Sequence, residues 1–263
     1  MINLMQGDCL DKMKEIESGS VDLTVTSPPY DNLRSYNGNN EQWGEHVWKE
    51  VLQQLYRITK YGGVVVWVVG DATIKGSETG TSFKQALWCM KCGFKLHDTM
   101  IYSKKFIPKT HRRYEQSFEY MFIFCKGGIR TFNPVMVPSK YAGQSKAART
   151  MRQDSDSLSS RSGKGFVSDF RIKENIWSIN PDHKSAHPAI FPEKLARDHI
   201  ASWSNEEDIV LDPFMGSGTT GVAAKKLNRS FIGIELDEGY FQIAKDRIEA
   251  VQVVDDMVDV GVI

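Results

Sequence analysis

The sequence carries no net charge, few cysteines and no long apolar run. Its 33 lysine and arginine residues balance 33 aspartate and glutamate residues, so an anionic partner must be met by local basic patches instead of overall attraction. No stretch of about 18 apolar residues indicates a membrane span. The N-terminus also lacks the basic and apolar regions of a signal peptide. We therefore expect a cytoplasmic protein with no membrane partner.

The four cysteines indicate neither a disulfide framework nor a metal centre. Cys89 and Cys92 form a C-x-x-C pair, but the pair lies inside a helical pattern and no second Cys/His pair accompanies it. Packing within a helix is therefore favoured over zinc binding. Disulfides are not expected in a reducing compartment, and we predict no metal site.

Apolar periodicity predicts strands and helices in alternation, which is typical of an α/β sheet. A continuous β-branched run over 64–69 indicates a strand that is covered on both faces. Helical spacing predicts one helix over 45–58, separated from that strand by a break at Gly62 and Gly63. A second helix is predicted over 82–92, with an inward face of Phe83, Ala86, Leu87 and Met90. Further strands are predicted over 21–25, 95–103, 118–125, 209–212 and 231–234.

The sequence Thr26-Ser27-Pro28-Pro29-Tyr30 follows the alternating strand over 21–25. Proline cannot donate to a sheet ladder, so two prolines in a row stop the strand and produce a stiff turn. The turn offers a hydroxyl, carbonyls that lack ladder partners, and an aromatic ring. These groups could hold the planar amine of a base while Tyr30 stacks on its face. A plain strand-ending turn is the alternative, which two prolines alone would favour.

A glycine-rich loop lies between a strand and a helix near the C-terminus. Gly216-x-Gly218-x-x-Gly221 matches the dinucleotide-binding pattern, and Glu235 follows 19 residues after the first glycine (235 − 216), a spacing suited to ribose hydroxyls. Only 42 residues follow the loop (263 − 221), so the N-terminal strands must complete the sheet in a circularly permuted order. Asp212 would repel a pyrophosphate, whereas a zwitterionic amino acid with a sulfonium tolerates it. S-adenosyl-L-methionine is therefore favoured over NAD, and an NAD-dependent oxidoreductase is the alternative.

Two basic segments lie between these motifs. The first is a loop over 104–114 with aromatic neighbours. The second, over 130–175, holds nine basic and four acidic residues, a local charge of +5 (9 − 4). Local positive charge suits a phosphate backbone, although a solvated insertion is the alternative. The residues predicted to bind nucleic acid are Arg112, Arg113, Lys140, Lys146, Arg149, Arg152, Arg161 and Lys164.

In this order the two motifs resemble those of DNA amino-methyltransferases of the β arrangement. In that family a catalytic motif comes first, a target-recognition region second and a cofactor motif last. The stretch 26–30 matches the catalytic motif, and Asp212-Pro213-Phe214-Met215-Gly216-Ser217-Gly218-Thr219-Thr220 matches the cofactor motif. Gly7-Asp8-Cys9-Leu10 and the stretch 187–192 also fit. The resemblance covers nearly the whole chain except 130–175.

The resemblance implies an α/β fold, a Rossmann-like methyltransferase sheet that is circularly permuted. The sheet would be mixed and seven-stranded, with a small recognition insertion. Residues 1–129 would form the catalytic half of the methyltransferase domain and 130–180 the target-recognition insertion. Residues 181–263 would form the half that binds S-adenosyl-L-methionine.

The resemblance also implies roles for single residues. Asp8 would bind the adenine edge of the cofactor, and Glu235 its ribose hydroxyls. The other expected cofactor residues are Cys9, Phe191, Asp212, Phe214, Gly216, Ser217, Gly218 and Thr219. The expected catalytic residues are Ser27, Pro28, Pro29, Tyr30 and Asp71.

Within the catalytic set, Ser27 and the Pro28 carbonyl would hold the exocyclic amine, and Tyr30 would stack on a flipped-out base. Asp71 has two equally favoured interpretations: it would polarise Ser27 or accept a proton by relay, or it would only cap the end of its strand. Family members with Ser at the first motif position mostly modify cytosine N4, and those with Asp mostly adenine N6. Ser27 therefore favours cytosine N4, with adenine N6 as the alternative.

Methylation at C5 of cytosine is not expected, because it needs a nucleophilic cysteine beside a proline and none of the four cysteines has that neighbour. The expected partner is double-stranded DNA. A cognate restriction endonuclease and a second copy of the chain are further candidates. A catalytically silent DNA-binding subunit is the remaining alternative.

Overall fold

The computed structural model describes residues 1–29, 43–104, 113–145, 149–152, 158–161, 165–180 and 192–252, and only the backbone within 149–152 and 158–161. The chain forms two compact units. The first comprises Met1–Asn133 and Asn175–Asp255, and the second is built on Pro134–Glu174.

Helices and strands alternate through most of the first unit. Its strands are β1 (Ile2–Gln6), β2 (Val21–Thr26), β3 (Thr59–Val69), β4 (Thr73–Ile74), β5 (Ser77–Glu78), β6 (Lys95–Ser103), β7 (Phe118–Cys125), β12 (Ile176–Ser178), β13 (Ile209–Asp212) and β14 (Ser230–Glu235). Its helices are α1 (Cys9–Lys14), α2 (Glu45–Ile58), α3 (Thr81–Lys91), α4 (Glu193–Trp203), α5 (Thr219–Lys226) and α6 (Glu238–Glu249). The second unit contains β8 (Met136–Pro138), β9 (Arg149–Arg152), β10 (Leu158–Arg161) and β11 (Phe170–Ile172), which form two antiparallel pairs.

The central sheet confirms the permuted Rossmann-like architecture. Its order is β1-β14-β13-β2-β3-β7-β6-β12, so the last two strands of the chain lie between the first two. Strand β7 is antiparallel to both neighbours, β3 and β6, and the other neighbouring pairs are parallel. The sheet has eight strands instead of the expected seven, because β12 adds to β6 at the edge through the register Trp177↔Tyr102.

The run over 64–69 is buried on both faces, as its β-branched composition predicts. Alternate residues Val65, Trp67 and Val69 pack into one core with α1, α2 and α3. The intervening residues Val66 and Val68 are also fully buried. Helices α1, α2 and α3 pack in series, and so do α4, α5 and α6. The parallel strands β1, β14, β13, β2 and β3 are neighbours in the sheet and come from both halves of the chain. The segments that follow their carboxyl ends therefore also come from both halves.

The predicted break at Gly62 and Gly63 is wrong. Helix α2 ends at Ile58, and β3 already begins at Thr59, so both glycines lie inside the strand. Gly62 has φ +90°, and a Cβ at Gly63 would come within 2.8 Å of the Asp22 carbonyl oxygen. The pairing of β2 with β3 shifts register here, between Val21 and Leu23. The glycines permit a close backbone approach at this irregularity and do not end an element.

The predicted inward face of α3 is also wrong, except for Ala86. The buried residues are Ser82, Gln85, Ala86 and Cys89. Phe83, Leu87 and Met90 are 50%, 67% and 45% exposed. Polar contacts set the helix orientation, because Gln85 Oε1 accepts a hydrogen bond of 2.9 Å from the buried indole Nε1 of Trp67.

The C-x-x-C pair belongs to the same helix. Cys89 is buried and Cys92 is the C-cap residue of α3. Burial raises the pKa of both thiols. The described residues contain no group of three His, Cys, Asp or Glu side chains placed to hold a metal ion. In the same part of the chain, no helix is both long and apolar enough to cross a bilayer.

Candidate active site

The two motifs meet at one edge of the central sheet. Strands β2 and β13 are parallel neighbours with the register Leu211↔Thr24. Their carboxyl ends, Thr26 and Asp212, therefore lie side by side although they are far apart in the chain. Thr26 Oγ1 donates a hydrogen bond of 2.7 Å to Asp212 Oδ1. We call this side of the sheet, where β1, β14, β13, β2 and β3 end, the carboxyl edge.

Ser27, Pro28 and Pro29 leave the sheet directly after β2. The strand ends at Thr26, as two consecutive prolines require. Pro28 is buried, while Ser27 and Pro29 are half-buried. Tyr30 lies outside the described residues. The serine and the two prolines thus occupy the carboxyl edge beside the end of β13.

Asp212 is a buried carboxylate with three hydrogen-bond donors. It is 2% exposed. Its Oδ1 accepts from Thr26 Oγ1 at 2.7 Å and from the Phe214 N–H at 3.1 Å. Its Oδ2 accepts from Thr220 Oγ1 at 2.7 Å. Burial raises its pKa to about 6, and the hydrogen bonds from Thr220, Thr26 and the Phe214 N–H oppose that rise.

The glycine loop that follows β13 is held from β14. Gly216 and Gly218 have φ values of +54° and +83°, which favour glycine. The Gly216 N–H donates to Glu235 Oε2, and the Asp237 N–H donates to Oε1, both at 2.8 Å. Burial raises the pKa of Glu235, and these two N–H groups oppose the rise. Each carboxylate oxygen therefore carries one backbone hydrogen bond and retains acceptor capacity.

Asp8 and Cys9 lie at the end of β1, next to the end of β14. Strand pairing places Gln6 opposite Glu235, and the Gly7 N–H donates to the Glu235 carbonyl oxygen at 2.9 Å. Asp8 is exposed and is the N-cap of α1, where its Oδ1 accepts from the Leu10 N–H at 2.8 Å. Cys9 is buried, which raises the pKa of its thiol to about 12 and keeps it protonated.

Two predicted cofactor residues, Phe214 and Thr219, border the loop. Phe214 packs edge-to-face against Trp43, with ring centroids 5.3 Å apart. The indole Nε1 of Trp43 and the hydroxyl of Thr219 are buried and lack a hydrogen-bond partner among the described residues. Trp43 was not identified from the sequence, where its only signal is an aromatic residue at the end of a Gly/Asn-rich stretch.

Arg247 on α6 was also not identified from the sequence. It donates to Ser217 Oγ at 2.9 Å and to the Ser217 carbonyl oxygen. Ser217 is thus held from the side of α6, and a single arginine in an amphipathic helix gives no signal of that contact. Gly218 is close to the same helix, since a Cβ there would lie 2.9 Å from the Cβ of Ala244.

Asp71 follows β3 and is bonded to the start of α3. Its Oδ1 accepts from the Ser82 N–H at 2.9 Å and from Thr79 Oγ1 at 3.3 Å. Its Oδ2 accepts from the Ser82 hydroxyl. These hydrogen bonds connect the end of β3 to the first turn of α3.

The predicted nucleic-acid residues are spread over both units. Arg113 donates to the Gly76 carbonyl oxygen and pairs with Glu78 Oε1, both at 2.8 Å, on the β4–β5 hairpin. In the second unit, Lys140 is exposed, with its Nζ 5.4 Å from the ring centroid of Tyr141. Strands β9 and β10 carry Arg149, Arg152 and Arg161, and the backbone of Arg149 lies opposite that of Arg161 in the antiparallel register. Arg112, Lys146, Lys164 and the predicted cofactor residue Phe191 lie outside the described residues.

Comparison with known proteins identifies relatives along most of the chain. The family model for N6 and N4 methyltransferases, described as DNA methylase, matches residues 21–246. The orphan methyltransferase M.BamHII of Bacillus amyloliquefaciens is 49% identical over 250 residues, which span 90% of this chain and 92% of that protein.

Solved structures with the same fold include proteins with bound cofactor. TTHA0409 from Thermus thermophilus, complexed with S-adenosyl-L-methionine, has a TM-score of 0.66 at 25% identity and covers 94% of this chain and 93% of that chain. PvuII DNA methyltransferase, a cytosine-N4-specific enzyme, has a TM-score of 0.72 over 99% of this chain and 89% of that chain. At 18% identity this second likeness concerns the fold alone.

Proposed function

We propose that this chain, which belongs to the N6/N4 DNA methylase family, methylates the exocyclic N4 of cytosine within a specific DNA sequence. Family membership establishes the coarser activity, which is DNA amino-methylation with S-adenosyl-L-methionine as the methyl donor. The cofactor expected from the glycine loop is thereby confirmed, and the oxidoreductase alternative is replaced. The choice of base and the roles of single residues form the proposal.

The observation that carries the proposal is the meeting of the two motifs at the carboxyl edge. Ser27 follows the last residue of β2, and the glycine loop follows the last residue of β13. The hydrogen bond between Thr26 and Asp212 joins these two strand ends directly. A methyl donor held by the loop and an amine held by the proline turn would therefore face each other across one pair of strands.

The residues around the glycine loop fit the cofactor. Glu235 and Asp8 supply carboxylates at neighbouring strand ends, where ribose hydroxyls and an adenine edge would be bound. Trp43 Nε1 and Thr219 Oγ1 are buried donors that lack a partner within the described part of the chain. A bound zwitterion offers the acceptors that such donors need. Phe214 adds an aromatic surface beside them.

The task of the protein is to position a weak nucleophile. The bound cofactor supplies a sulfonium-activated methyl group with a good leaving group. The lone pair of an aromatic amine is delocalised into the base ring. Hydrogen bonds from its two protons to Ser27 and to the Pro28 carbonyl would favour a pyramidal nitrogen with an available lone pair. Alignment then supplies most of the rate, and the same acceptors stabilise the positive charge that develops on nitrogen.

Cytosine N4 is preferred because Ser27 occupies the first position of the catalytic motif. A carboxylate at this position would bind an amine more strongly than a hydroxyl does. The serine therefore distinguishes this chain from family members with aspartate, which mostly modify adenine N6. Double-stranded DNA is the substrate, while a cognate endonuclease and a homodimer stay predictions.

Identification of the methylated nucleoside tests the proposal. The full chain is incubated with S-adenosyl-L-methionine and unmethylated DNA of mixed sequence, and the DNA is digested to nucleosides for mass spectrometry. We expect N4-methyldeoxycytidine. N6-methyldeoxyadenosine as the product would contradict the cytosine assignment and establish the alternative. No methylated nucleoside at all, from protein that is folded, would favour a silent DNA-binding subunit.

A further inference from the structure

We infer that Asp212 and Thr26 are positioning residues of the methyl transfer, which fix the proline turn to the glycine loop, and that Asp212 does not contact the cofactor. This inference rests on the proposed function. It differs from the role that family resemblance implies for Asp212, which is a contact with the methionine part of the cofactor.

Hydrogen bonds within the protein occupy most of the acceptor sites of the Asp212 carboxylate. Three donors surround it within 3.1 Å: Thr26 Oγ1, Thr220 Oγ1 and the Phe214 N–H. An ionised carboxylate has about four acceptor sites, so three are already used inside the protein. Asp212 is also 2% exposed, which leaves almost no surface for a ligand. A cofactor ammonium group would have to displace one of these donors to reach the carboxylate.

The three donors to Asp212 come from three different segments of the chain. Thr26 is the last residue of β2 and precedes Ser27. Phe214 belongs to the loop after β13. Thr220 lies in the first turn of α5, directly after the glycines, and its hydroxyl is also 3.4 Å from the Val25 carbonyl oxygen. One buried carboxylate therefore connects the amine-binding turn, the cofactor loop and the helix behind that loop.

This connection has a consequence for the reaction. The methyl group and the attacking nitrogen are held by different segments, so the rate depends on the distance between those segments. A misplacement of about 1 Å can cost roughly 100-fold in rate without weakening binding of either reactant. Loss of the Thr26 hydroxyl should therefore slow transfer while cofactor affinity is kept.

Strand β2 offers a matched control. Thr24 lies two residues earlier, so its side chain is on the same face of the strand. It is also fully buried, but its hydroxyl has no hydrogen-bond partner among the described residues. Thr24→Val and Thr26→Val remove the same atom from the same strand, and only the second breaks the contact with Asp212.

The test separates rate from affinity. Single-turnover transfer of labelled methyl groups from saturating S-adenosyl-L-methionine to unmethylated mixed-sequence DNA gives the rate. Calorimetric titration with S-adenosyl-L-homocysteine gives the affinity. We expect Thr26→Val to be slower by about tenfold or more with a Kd within about threefold of the original. Thr26→Ser, which keeps the hydroxyl, should restore the rate, and Thr24→Val should match the unmodified protein.

Asp212→Asn distinguishes positioning from direct contact. The amide oxygen can still accept from Thr26, but the amide nitrogen replaces the oxygen that accepts from Thr220 and has to donate instead, which disturbs the link to α5. Transfer should therefore slow while cofactor affinity stays within about threefold. A Kd weakened by about tenfold or more, with an unchanged rate at saturation, would show direct contact and overturn the inference. Equal rates for Thr26→Val and Thr24→Val would overturn it as well.

Folding and the proposed function are checked in the same experiment. Each variant is melted thermally, and if Thr26→Val is unfolded, Thr220→Val and Asp212→Asn supply the same comparison of rate with affinity. If the unmodified protein neither binds S-adenosyl-L-homocysteine nor transfers methyl groups, the proposed function and this inference both fail. If the unmodified protein does both, and Thr26→Val and Thr24→Val transfer methyl groups at the same rate, only the inference fails.

Discussion

At the residue scale, Ser27 is the side chain on which the proposed chemistry depends. Ser27→Ala removes the hydroxyl that would accept a proton of the target amine. We expect turnover to fall by about 100-fold, because an acceptor aimed at developing charge is lost, while the cofactor Kd changes by less than about threefold. Rate assays and calorimetry on the same preparation measure the two effects. Ser20→Ala, a serine in the turn before β2, is the control. Weaker cofactor binding with normal turnover would place the chemistry elsewhere.

Substitution of Glu235 should affect cofactor affinity more than turnover, which is the reverse of the effect expected for Ser27. Glu235→Ala removes the carboxylate expected to bind ribose hydroxyls, so cofactor affinity should drop by about tenfold or more before turnover at saturation is affected. The same change frees the Gly216 and Asp237 N–H groups. Glu235→Gln is therefore measured alongside it, since the amide oxygen can keep one of these bonds. Unchanged affinity in both variants would remove Glu235 from the cofactor site.

The raised pKa of buried Asp212 should make the free energy of unfolding depend on pH. Its pKa is raised from 3.8 to about 6 in the folded protein. The folded state therefore holds the proton more tightly than the unfolded state, and this contribution to stability is present below pH 4 and is lost as the pH rises through 6. A difference of about two pKa units corresponds to about 3 kcal/mol.

The matching experiment compares denaturant unfolding of the unmodified protein and of Asp212→Asn between pH 4 and 7. Asparagine cannot ionise, so we expect the unmodified protein to lose about 2 kcal/mol relative to the variant over this interval. The raised pKa of Glu235 is common to both proteins and largely cancels in the difference. Parallel stability curves would mean that Asp212 titrates at its ordinary pKa.

The sequence predicts which residues lie at the carboxyl edge better than it predicts the contacts that their side chains make. Two prolines end β2 by lacking N–H groups, and glycines at positive φ form the loop, so both motifs could be placed by local rules. The orientation of Asp212 could not be predicted, because its partner Thr26 is 186 residues away. Trp43 and Arg247 were missed for the same reason, since each gains its meaning from a contact that no local pattern encodes.

At the element scale, α3 shows where periodicity fails. Three large apolar residues at helical spacing predicted its buried face, yet they are the exposed ones. The buried positions hold Ser82 and Gln85, whose hydrogen bonds to Asp71 and Trp67 orient the helix. Helix α2, whose predicted span of 45–58 is confirmed, has only apolar residues on its buried side. Polar partners in the sheet therefore override an apolar stripe.

The exposed face of α3 can be tested by one substitution at two sites. Leu87 is 67% exposed, so Leu87→Ala should change the free energy of unfolding by less than about 0.5 kcal/mol. Leu52 in α2 is fully buried. Leu52→Ala should therefore cost about 2–5 kcal/mol. Denaturant unfolding measures both. A large loss for Leu87→Ala would show that this face of α3 is covered in solution.

At the scale of the whole molecule, net neutrality means that affinity for DNA has to come from local basic segments, and 130–175 is the larger of the two predicted ones. Arg149→Ala together with Arg152→Ala should weaken binding to mixed-sequence DNA and flatten its salt dependence by about 0.9 for each phosphate that is no longer neutralised. Lys14→Ala, which removes one positive charge from α1, is the control and should leave the salt slope unchanged. An unchanged slope in the double variant would remove these arginines from the DNA interface.

The overall architecture could be predicted from the sequence, because the order of the two motifs resembles that of a family with a circularly permuted sheet. The strand order confirms this arrangement. The eighth strand was missed, because β12 has only three residues and lies inside the stretch 130–180 that was predicted to be a separate insertion. Strands this short carry too little periodicity to be recognised.

The interleaved strand order also constrains how the polypeptide acquires its structure during synthesis. Strand β1 pairs with β14, and β2 pairs with β13 on one side. Strands β1 and β2 therefore cannot complete these pairings until β13 and β14 have been synthesised. A ribosome-bound chain that lacks 209–235 has an incomplete sheet with an open β2 border. Such long-range pairing slows folding and leaves unpaired borders exposed to aggregation. Expression of this protein should therefore benefit from lower temperature or from chaperones that shield the nascent N-terminal half.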